Sequence, residues 1–165
     1  EEICDSLARR LHFVARGGED ELPDGTRSAF YAFTNGLYRE VVYRRQAASS
    51  RARRHTRIAE QLGRFFAGRE ADVAREMALH YEAAGNWKRA AAALRMAARR
   101  ASERDAHPQA SEELERALRL AENLAGADRD AEVQAIRAEL ESARGAVAGA
   151  GPGKKNPSGK NLTLS

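Results

Sequence analysis

Residues 81–104 read YEAAGNWKRAAAALRMAARRASER, and this stretch contains a helix end, a helix start and a long apolar stripe. Gly85 can end a helix in a left-handed conformation, and the side chain of Asn86 can cap the helix that follows. Small and apolar residues then recur at helical spacing at Trp87, Ala90, Ala91, Leu94, Ala97, Ala98 and Ala101. The stretch therefore predicts two packed helices, over 71–84 and 87–104, with the tryptophan buried between them.

The spacing A-x3-L-x2-A begins at Ala90 and recurs twenty residues later at Ala110. Small residues at such positions let helices approach closely, and stacked helix pairs bury faces that a single helix would leave exposed. The first copy resembles a tetratricopeptide repeat over about residues 71–104, although Ala74 and Ser102 stand where that repeat has Trp and Pro. The resemblance assigns repeat packing to Tyr81, Trp87, Ala90, Leu94 and Ala97.

Helical spacing extends on both sides of this stretch, from Asn35 to about residue 148. Asn35 can cap the helix that follows it, and Ser49 or Ser50 can cap the next one. Pro108 predicts another break, since proline disfavours helix in the residue before it. A single coiled coil is disfavoured because glycine and proline interrupt the pattern too often.

The last predicted helix covers residues 130–148. It carries an apolar stripe of Val133, Ile136, Leu140 and Val147. This stripe would be exposed unless it folds back on Leu114 and Leu118. Because an exposed apolar stripe is a docking surface, we predict that the chain self-associates through this helix.

The start of the chain predicts a helix followed by a β-hairpin. Apolar residues lie on one helical face at Ile3, Leu7, Leu11 and Val14. The pair Gly17-Gly18 is expected to end this helix. Pro23-Asp24-Gly25 predicts a tight turn, because Pro presets φ, Asp bonds its own backbone and Gly accepts a positive φ. Residues 28–33 predict one strand, and its partner is expected in 13–16, in 21–22, or in both.

These elements predict a mainly α chain in three parts. Residues 1–48 form a partial winged helix with a β-hairpin wing and a following helix. Residues 49–148 form a helical repeat array. Residues 149–165, rich in Gly, Pro and Lys, are expected to be a disordered tail. Because Glu1 already lies inside an apolar periodic pattern, we expect the chain to be a piece of a larger protein.

Arginine accounts for 24 of the 28 basic residues. Guanidinium groups bind phosphate bidentately, but we prefer the simpler interpretation, a GC-rich genome that favours Arg and Ala codons. Residues 39–57 hold seven arginines and one acidic residue, Glu40: Arg39, Arg44, Arg45, Arg51, Arg53, Arg54 and Arg57. The cluster is a candidate contact for nucleic acid or for a neighbouring domain, and a solvated face is its simpler interpretation. We expect nucleic-acid binding to be weak, salt-sensitive and sequence-independent, since the first helix begins with acidic residues.

Several classes of site are not predicted. No apolar run is long enough to span a bilayer, so no membrane partner is expected. The sequence has a single cysteine, which excludes an internal disulfide and a multi-cysteine zinc site. The Gly153-Lys154 pair lacks the other residues of a phosphate-binding loop, because Ala148 and Lys155 occupy their positions. The four histidines share no metal-binding spacing: His12, His55, His80 and His107. We therefore expect no catalytic site, no metal, no cofactor and a cytoplasmic setting.

Four stretches together resemble a known region: LARR at 7–10, ELPDGT at 21–26, YAFTNGLYREVVY at 31–43 and RRHTRIAEQL at 53–62. They are similar to the segment after the ATPase core in bacterial AAA/STAND-type signalling ATPases, which include ATPase-linked transcriptional regulators and adenylate cyclase-linked ATPases. The resemblance covers about residues 3–124.

The resemblance implies a non-catalytic regulatory and scaffold segment that couples a nucleotide-binding core to partner-binding helical repeats. Its partner would be another protein or the neighbouring ATPase domain of the parent chain. Asn35 stands where the family often has a histidine that approaches the nucleotide phosphates. Asn35 is therefore a candidate phosphate sensor without charge, or simply a helix cap. A DNA-binding winged-helix module of a transcriptional regulator is the alternative, and an enzyme fragment is disfavoured because no phosphate-binding loop is present.

Overall fold

The structure is a computed structural model that describes residues 2–149. Over these residues the chain is mainly helical, as predicted, with one two-stranded antiparallel sheet. The elements are α1 Glu2–Leu11, β1 Val14–Glu21, β2 Arg27–Phe33, α2 Gly36–Arg44, α3 Ala48–Phe65, α4 Ala74–Ala83, α5 Trp87–Ser102, α6 His107–Ala121 and α7 Gly126–Gly149, with a short 3-10 turn at Glu70–Asp72 before α4. The predicted disordered tail lies outside the described residues apart from its first position.

The hairpin has the predicted turn. Gly25 adopts a φ of +82°, its N–H donates to the Leu22 carbonyl at 2.8 Å, and the Asp24 carboxylate accepts from the Thr26 N–H at 2.9 Å. Strand β1 pairs with β2 from Val14 opposite Phe33 to Glu21 opposite Arg27. The first strand therefore runs through both of the segments considered for it and ends at Glu21.

The prediction that Gly17-Gly18 ends the first helix is wrong. Both glycines lie inside β1, where a β-bulge between Arg16 and Gly18 interrupts the register. The Phe30 ring covers Gly17 so closely that an added Cβ would lie 1.9 Å from a ring carbon. The first helix instead ends at Leu11, because His12 takes a left-handed φ of 50° and turns the chain into β1.

Two of the predicted helix caps are confirmed. Asn35 accepts from the Leu37 N–H at 2.8 Å, and Asn86 accepts from the Arg89 N–H at 3.3 Å. Neither Ser49 nor Ser50 caps α3, because that helix already begins at Ala48 and its capping residue provides no side-chain hydrogen bond. Pro108 lies in the first turn of α6, where its missing N–H costs nothing.

Helices α3 to α7 form an array in which each helix packs on the next. Their shared core is built mostly from alanine, with a few larger side chains such as Tyr81, Leu94, Leu114 and Ile136. Four predicted packing positions are buried, Tyr81, Ala90, Leu94 and Ala97. Because alanine is small, the helices approach closely and bury their faces without large side chains.

Trp87 is less buried than predicted. It packs against the core cluster but remains partly exposed. The reason is its position as the first residue of α5, directly after the cap Asn86, where the ring lies at the end of the interface between α4 and α5. Its replacement should therefore cost less than the removal of a fully buried tryptophan.

The apolar stripe of the last helix is not exposed. Helix α7 folds back on α6, and Ile136 and Leu140 are 0% and 6% exposed. Val133 is half-buried against the same core, and Val147 alone of the stripe is clearly exposed, at 42%. The condition for self-association through residues 130–148 is therefore not met. No helix within residues 2–149 combines the length and the apolar character needed to cross a bilayer.

Candidate functional site

A large apolar cleft lies in the unit formed by α1, the hairpin and α2. We call it the N-terminal cleft, and its volume is about 820 Å³. It is lined by Cys4, Leu7, Phe13, Val14, Tyr31, Phe33, Leu37, Tyr38, Val41, Val42 and Arg45. Apart from Arg45 at its edge, the lining offers no charged side chain.

Local structure explains why these residues face the same space. Alternate residues of a strand share a face, so β2 presents Tyr31 and Phe33 together. Helical spacing aligns Leu37 and Val41 on α2. Two hydrogen bonds hold the hairpin against the first helix and the residue that follows it. The Tyr31 hydroxyl donates to Asp5 at 2.7 Å, and the hydroxyl of Thr34, which follows β2, donates to the His12 carbonyl at 2.8 Å.

The cleft is open rather than filled. Leu37 is 64% exposed, and Phe33, Val41 and Val42 are 40% to 49% exposed. Among the described side chains before Ala59, none is buried, whereas the array has a continuous core. Contiguous exposed apolar surface of this kind marks an interaction site.

The predicted arginine cluster is divided between two helices that share few contacts. Arg39 and Arg44 lie on α2, Arg45 follows it, and the other four lie on α3. Three of the seven have partners: Arg44 pairs with Glu40, Arg51 lies over the Tyr43 ring and donates to the Gln46 carbonyl, and Arg53 donates to Ser50. The remaining four contact no acidic partner within the described residues: Arg39, Arg45, Arg54 and Arg57.

Asn35 uses its side-chain oxygen to cap α2 and is exposed. The helix-cap interpretation is thus confirmed. Its role as a phosphate sensor stays a prediction.

A chain of polar contacts that the sequence did not indicate links three helices. The Tyr43 hydroxyl on α2 lies 3.1 Å from Nε2 of His55 on α3, and Nδ1 of His55 lies 2.9 Å from Nδ1 of His80 on α4. Only one of the two facing Nδ1 atoms can carry a proton if this hydrogen bond is to form. Burial and the neighbouring His55 lower the pKa of His80. Because the two histidines are separated by 25 residues, no local spacing could have revealed the pair.

The described residues provide little for metal or covalent chemistry. Within 2–149, no group of three or more His, Cys, Asp or Glu side chains is arranged to hold a metal ion. Cys4 is a half-buried free thiol at the edge of the N-terminal cleft. The expected lack of a cofactor and of catalysis remains a prediction.

Similarity to other proteins does not assign a function. No known protein family matches this chain, and no curated protein or solved structure is significantly similar to it. What the chain does must therefore be inferred from its own surfaces.

Proposed function

We propose that this chain is a non-catalytic regulatory and scaffold segment of a STAND-like signalling ATPase. The N-terminal unit, which resembles half of a winged helix, docks on a neighbouring nucleotide-binding domain through the N-terminal cleft. The array, which resembles tetratricopeptide repeats, binds a protein partner. The observation that carries this proposal is the open apolar cleft in a unit that has no buried described side chain.

Burial of the cleft would contribute favourable free energy to a domain contact. Leu37, Phe33, Val41 and Val42 each expose between 40% and 64% of their surface. Burying the exposed part of such a side chain is worth roughly 1 kcal/mol at about 25 cal/mol per Å². Four side chains therefore contribute about 4 kcal/mol before the other lining residues are included.

The array is suited to present a surface rather than to rearrange. Its core is continuous from α3 to α7, and ion pairs connect helices that are distant in sequence. Arg95 on α5 contacts Glu132 and Glu139 on α7 at 2.8 and 2.7 Å, and Arg116 on α6 contacts Glu82 on α4 at 2.6 Å. These contacts fix the relative positions of the helices, which a scaffold requires.

A DNA-binding module is the second candidate, and the unpaired arginines of α2 and α3 favour it. Against it, α1 has acidic residues in its first turn, Glu2 and Asp5, and a carboxylate oxygen of Asp5 accepts a hydrogen bond from Tyr31. The expected result is weak binding that falls steeply with salt. A footprint on one sequence at physiological salt would make this the first candidate.

The docking proposal can be tested with the protein's own thiol. Cys4 is the only cysteine and borders the cleft, so its rate of reaction with a thiol reagent reports whether the cleft is occupied. The full chain is mixed with the nucleotide-binding domain encoded by the same gene. We expect about tenfold protection of Cys4, lost in Leu37→Glu, because a buried carboxylate opposes docking.

Leu79→Glu is the matched control. Leu79 is 52% exposed on α4, outside the cleft, and its replacement should leave the protection of Cys4 unchanged. The proposal is wrong if the gene encodes no nucleotide-binding domain, or if that domain leaves the reaction rate of Cys4 unaltered.

A further inference from the structure

A second apolar surface lies on the outer side of α3, outside the N-terminal cleft. We call it the α3 groove. Its volume is about 370 Å³, and it is lined by Arg54, Arg57, Ile58, Gln61, Leu62 and Phe65. These residues recur at spacings of three and four, so they form one stripe along the helix.

The opposite side of α3 is already used. Ala59 is fully buried, Phe66 packs against the core, and His55 contacts His80 on α4. Leu62 of the groove also packs against this core, whereas the other groove residues are not part of it. Ile58 in particular remains 43% exposed although it is a large apolar side chain.

The charges around the groove have one sign. Helix α3 carries five arginines and a single acidic residue, Glu60, which pairs with Arg89 on α5 at 2.7 Å. Within the described residues, Arg54 and Arg57 contact no acidic group. The groove thus combines an apolar floor with two cationic groups that lack counter-charges.

We propose that the α3 groove binds an acidic amphipathic helix of another protein, with apolar side chains on the floor and carboxylates against Arg54 and Arg57. A helix laid along a groove uses apolar residues at positions i, i+3, i+4 and i+7, which matches the spacing of the α3 stripe. Carboxylates that flank this face pair with guanidinium groups bidentately.

Charge complementarity excludes the other occupants that the chain itself could supply. If two copies of the chain met groove to groove, Arg54 and Arg57 of one copy would face the same two arginines of the other, and the like charges would repel. Residues 150–165 contain three lysines and no acidic residue, so they carry the same sign as the groove. Many acidic residues of α6 and α7 already pair with arginines within the chain, as Glu115 does with Arg144 and Glu139 with Arg95. Nucleic acid offers phosphate but no aliphatic surface for Ile58 and Phe65.

The test uses the full chain and a designed probe. The probe is a fluorescent amphipathic peptide of about 18 residues, or about five helical turns, with Leu at the apolar positions and Glu beside them. Its partner probe carries Gln in place of every Glu. Fluorescence anisotropy should show tighter binding of the Glu peptide by about tenfold, and this difference should shrink as salt is raised.

Two variants locate the binding to this groove. Arg54→Glu combined with Arg57→Glu should weaken binding of the Glu peptide by about tenfold or more, since each change replaces an attraction with a repulsion. Ile58→Ser, which does not change the charge of the groove, should weaken the binding of both the Glu and the Gln peptide. Arg129→Glu combined with Arg137→Glu is the matched control: it changes the net charge equally at exposed arginines of α7 and should alter binding less than about twofold.

Two results with the peptides would overturn the proposal: equal binding of the Glu and Gln peptides, or equal weakening of the Glu peptide by the α3 and α7 charge reversals. Nucleic acid would be the occupant if a short DNA duplex binds more tightly than the Glu peptide and the α3 reversal abolishes that binding. A second copy of the chain would be the occupant if sedimentation shows a dimer that Arg54→Glu with Arg57→Glu dissociates. Thermal unfolding of each variant checks that the array stays folded. The N-terminal cleft is untouched in all of them, so the outcome does not depend on the docking of the N-terminal unit.

Discussion

Removal of the Ile136 side chain is the sharpest test of where the last helix packs. Ile136 is fully buried on α7, and Ile136→Ala deletes three carbon atoms from the core. At about 0.8 kcal/mol for each buried methylene, the lost transfer free energy is about 2.4 kcal/mol, and the cavity raises the total to roughly 3–4 kcal/mol. For a chain of this size, each kcal/mol lowers the melting temperature by about 2–4 °C, so we expect a decrease of roughly 6–16 °C.

The assay is urea unfolding, followed by circular dichroism and by the fluorescence of Trp87. Trp87 is the only tryptophan, and it packs against the same core, so its emission reports on the array. Ile58→Ala is the control, because it makes the same chemical change in a helix at a side chain that is 43% exposed. The gain in helix propensity is common to both variants and cancels in the comparison. The control should cost about 1 kcal/mol or less.

Equal unfolding midpoints for Ile136→Ala and Ile58→Ala would refute the packing of α7. A second refuting result is an unchanged midpoint for Ile136→Ala together with the loss of a dimer in sedimentation. In that case the stripe would be a surface, and self-association through residues 130–148 would again explain it.

Three further outcomes are expected from the polar contacts. Because burial and His55 lower the pKa of His80, the folded chain holds that ring neutral and the unfolded chain binds the proton first. Stability measured by urea unfolding should therefore be complete well above the ordinary histidine pKa of about 6.5, fall as the pH drops below that value, and lose this dependence in His80→Gln. Asn86→Ala removes the cap of α5 and should lower the free energy of unfolding by about 1 kcal/mol in the same assay. Arg95→Met leaves Glu132 without its ion-pair partner and Glu139 with Arg99 alone, and it should cost about 1–2 kcal/mol. A double-mutant cycle with Glu139→Gln should show that positions 95 and 139 are coupled.

The helical array was largely predictable, because its signals are local. Helical spacing, Gly85 with Asn86, and the small residues from Ala90 onward all act within one or two turns of each other. The docking of Ile136 was not predictable in the same way. Whether a stripe on α7 meets α6 or another molecule depends on how the connection at Gly126 directs the chain. Spacing within α7 contains no information about that direction.

Two other differences have local causes that the sequence leaves ambiguous. A glycine pair is typical both of a helix end and of a bulged strand, and only the Phe30 ring over Gly17 decides between them. His12 ends α1 in a left-handed conformation that residues other than glycine adopt infrequently. The N-terminal cleft and the His55–His80 contact form between elements that are distant in sequence. They could therefore be identified only once the three-dimensional fold was known.

The junction between the N-terminal unit and the array has consequences for the proposed coupling. Helix α2 shares few contacts with α3, and the main ones are polar: Tyr43 with His55, and Arg51 with the Gln46 carbonyl. Hydrogen bonds of this kind contribute about 1 kcal/mol each, because water competes for the same groups. Docking at the N-terminal cleft would release about 4 kcal/mol from four side chains alone. A partner in the cleft changes the orientation of α2 relative to the array only if it binds one orientation more tightly than another, because equal docking energy in both shifts no equilibrium. Since the junction rests on two polar contacts, a difference in docking free energy of about 2 kcal/mol between the orientations would offset them.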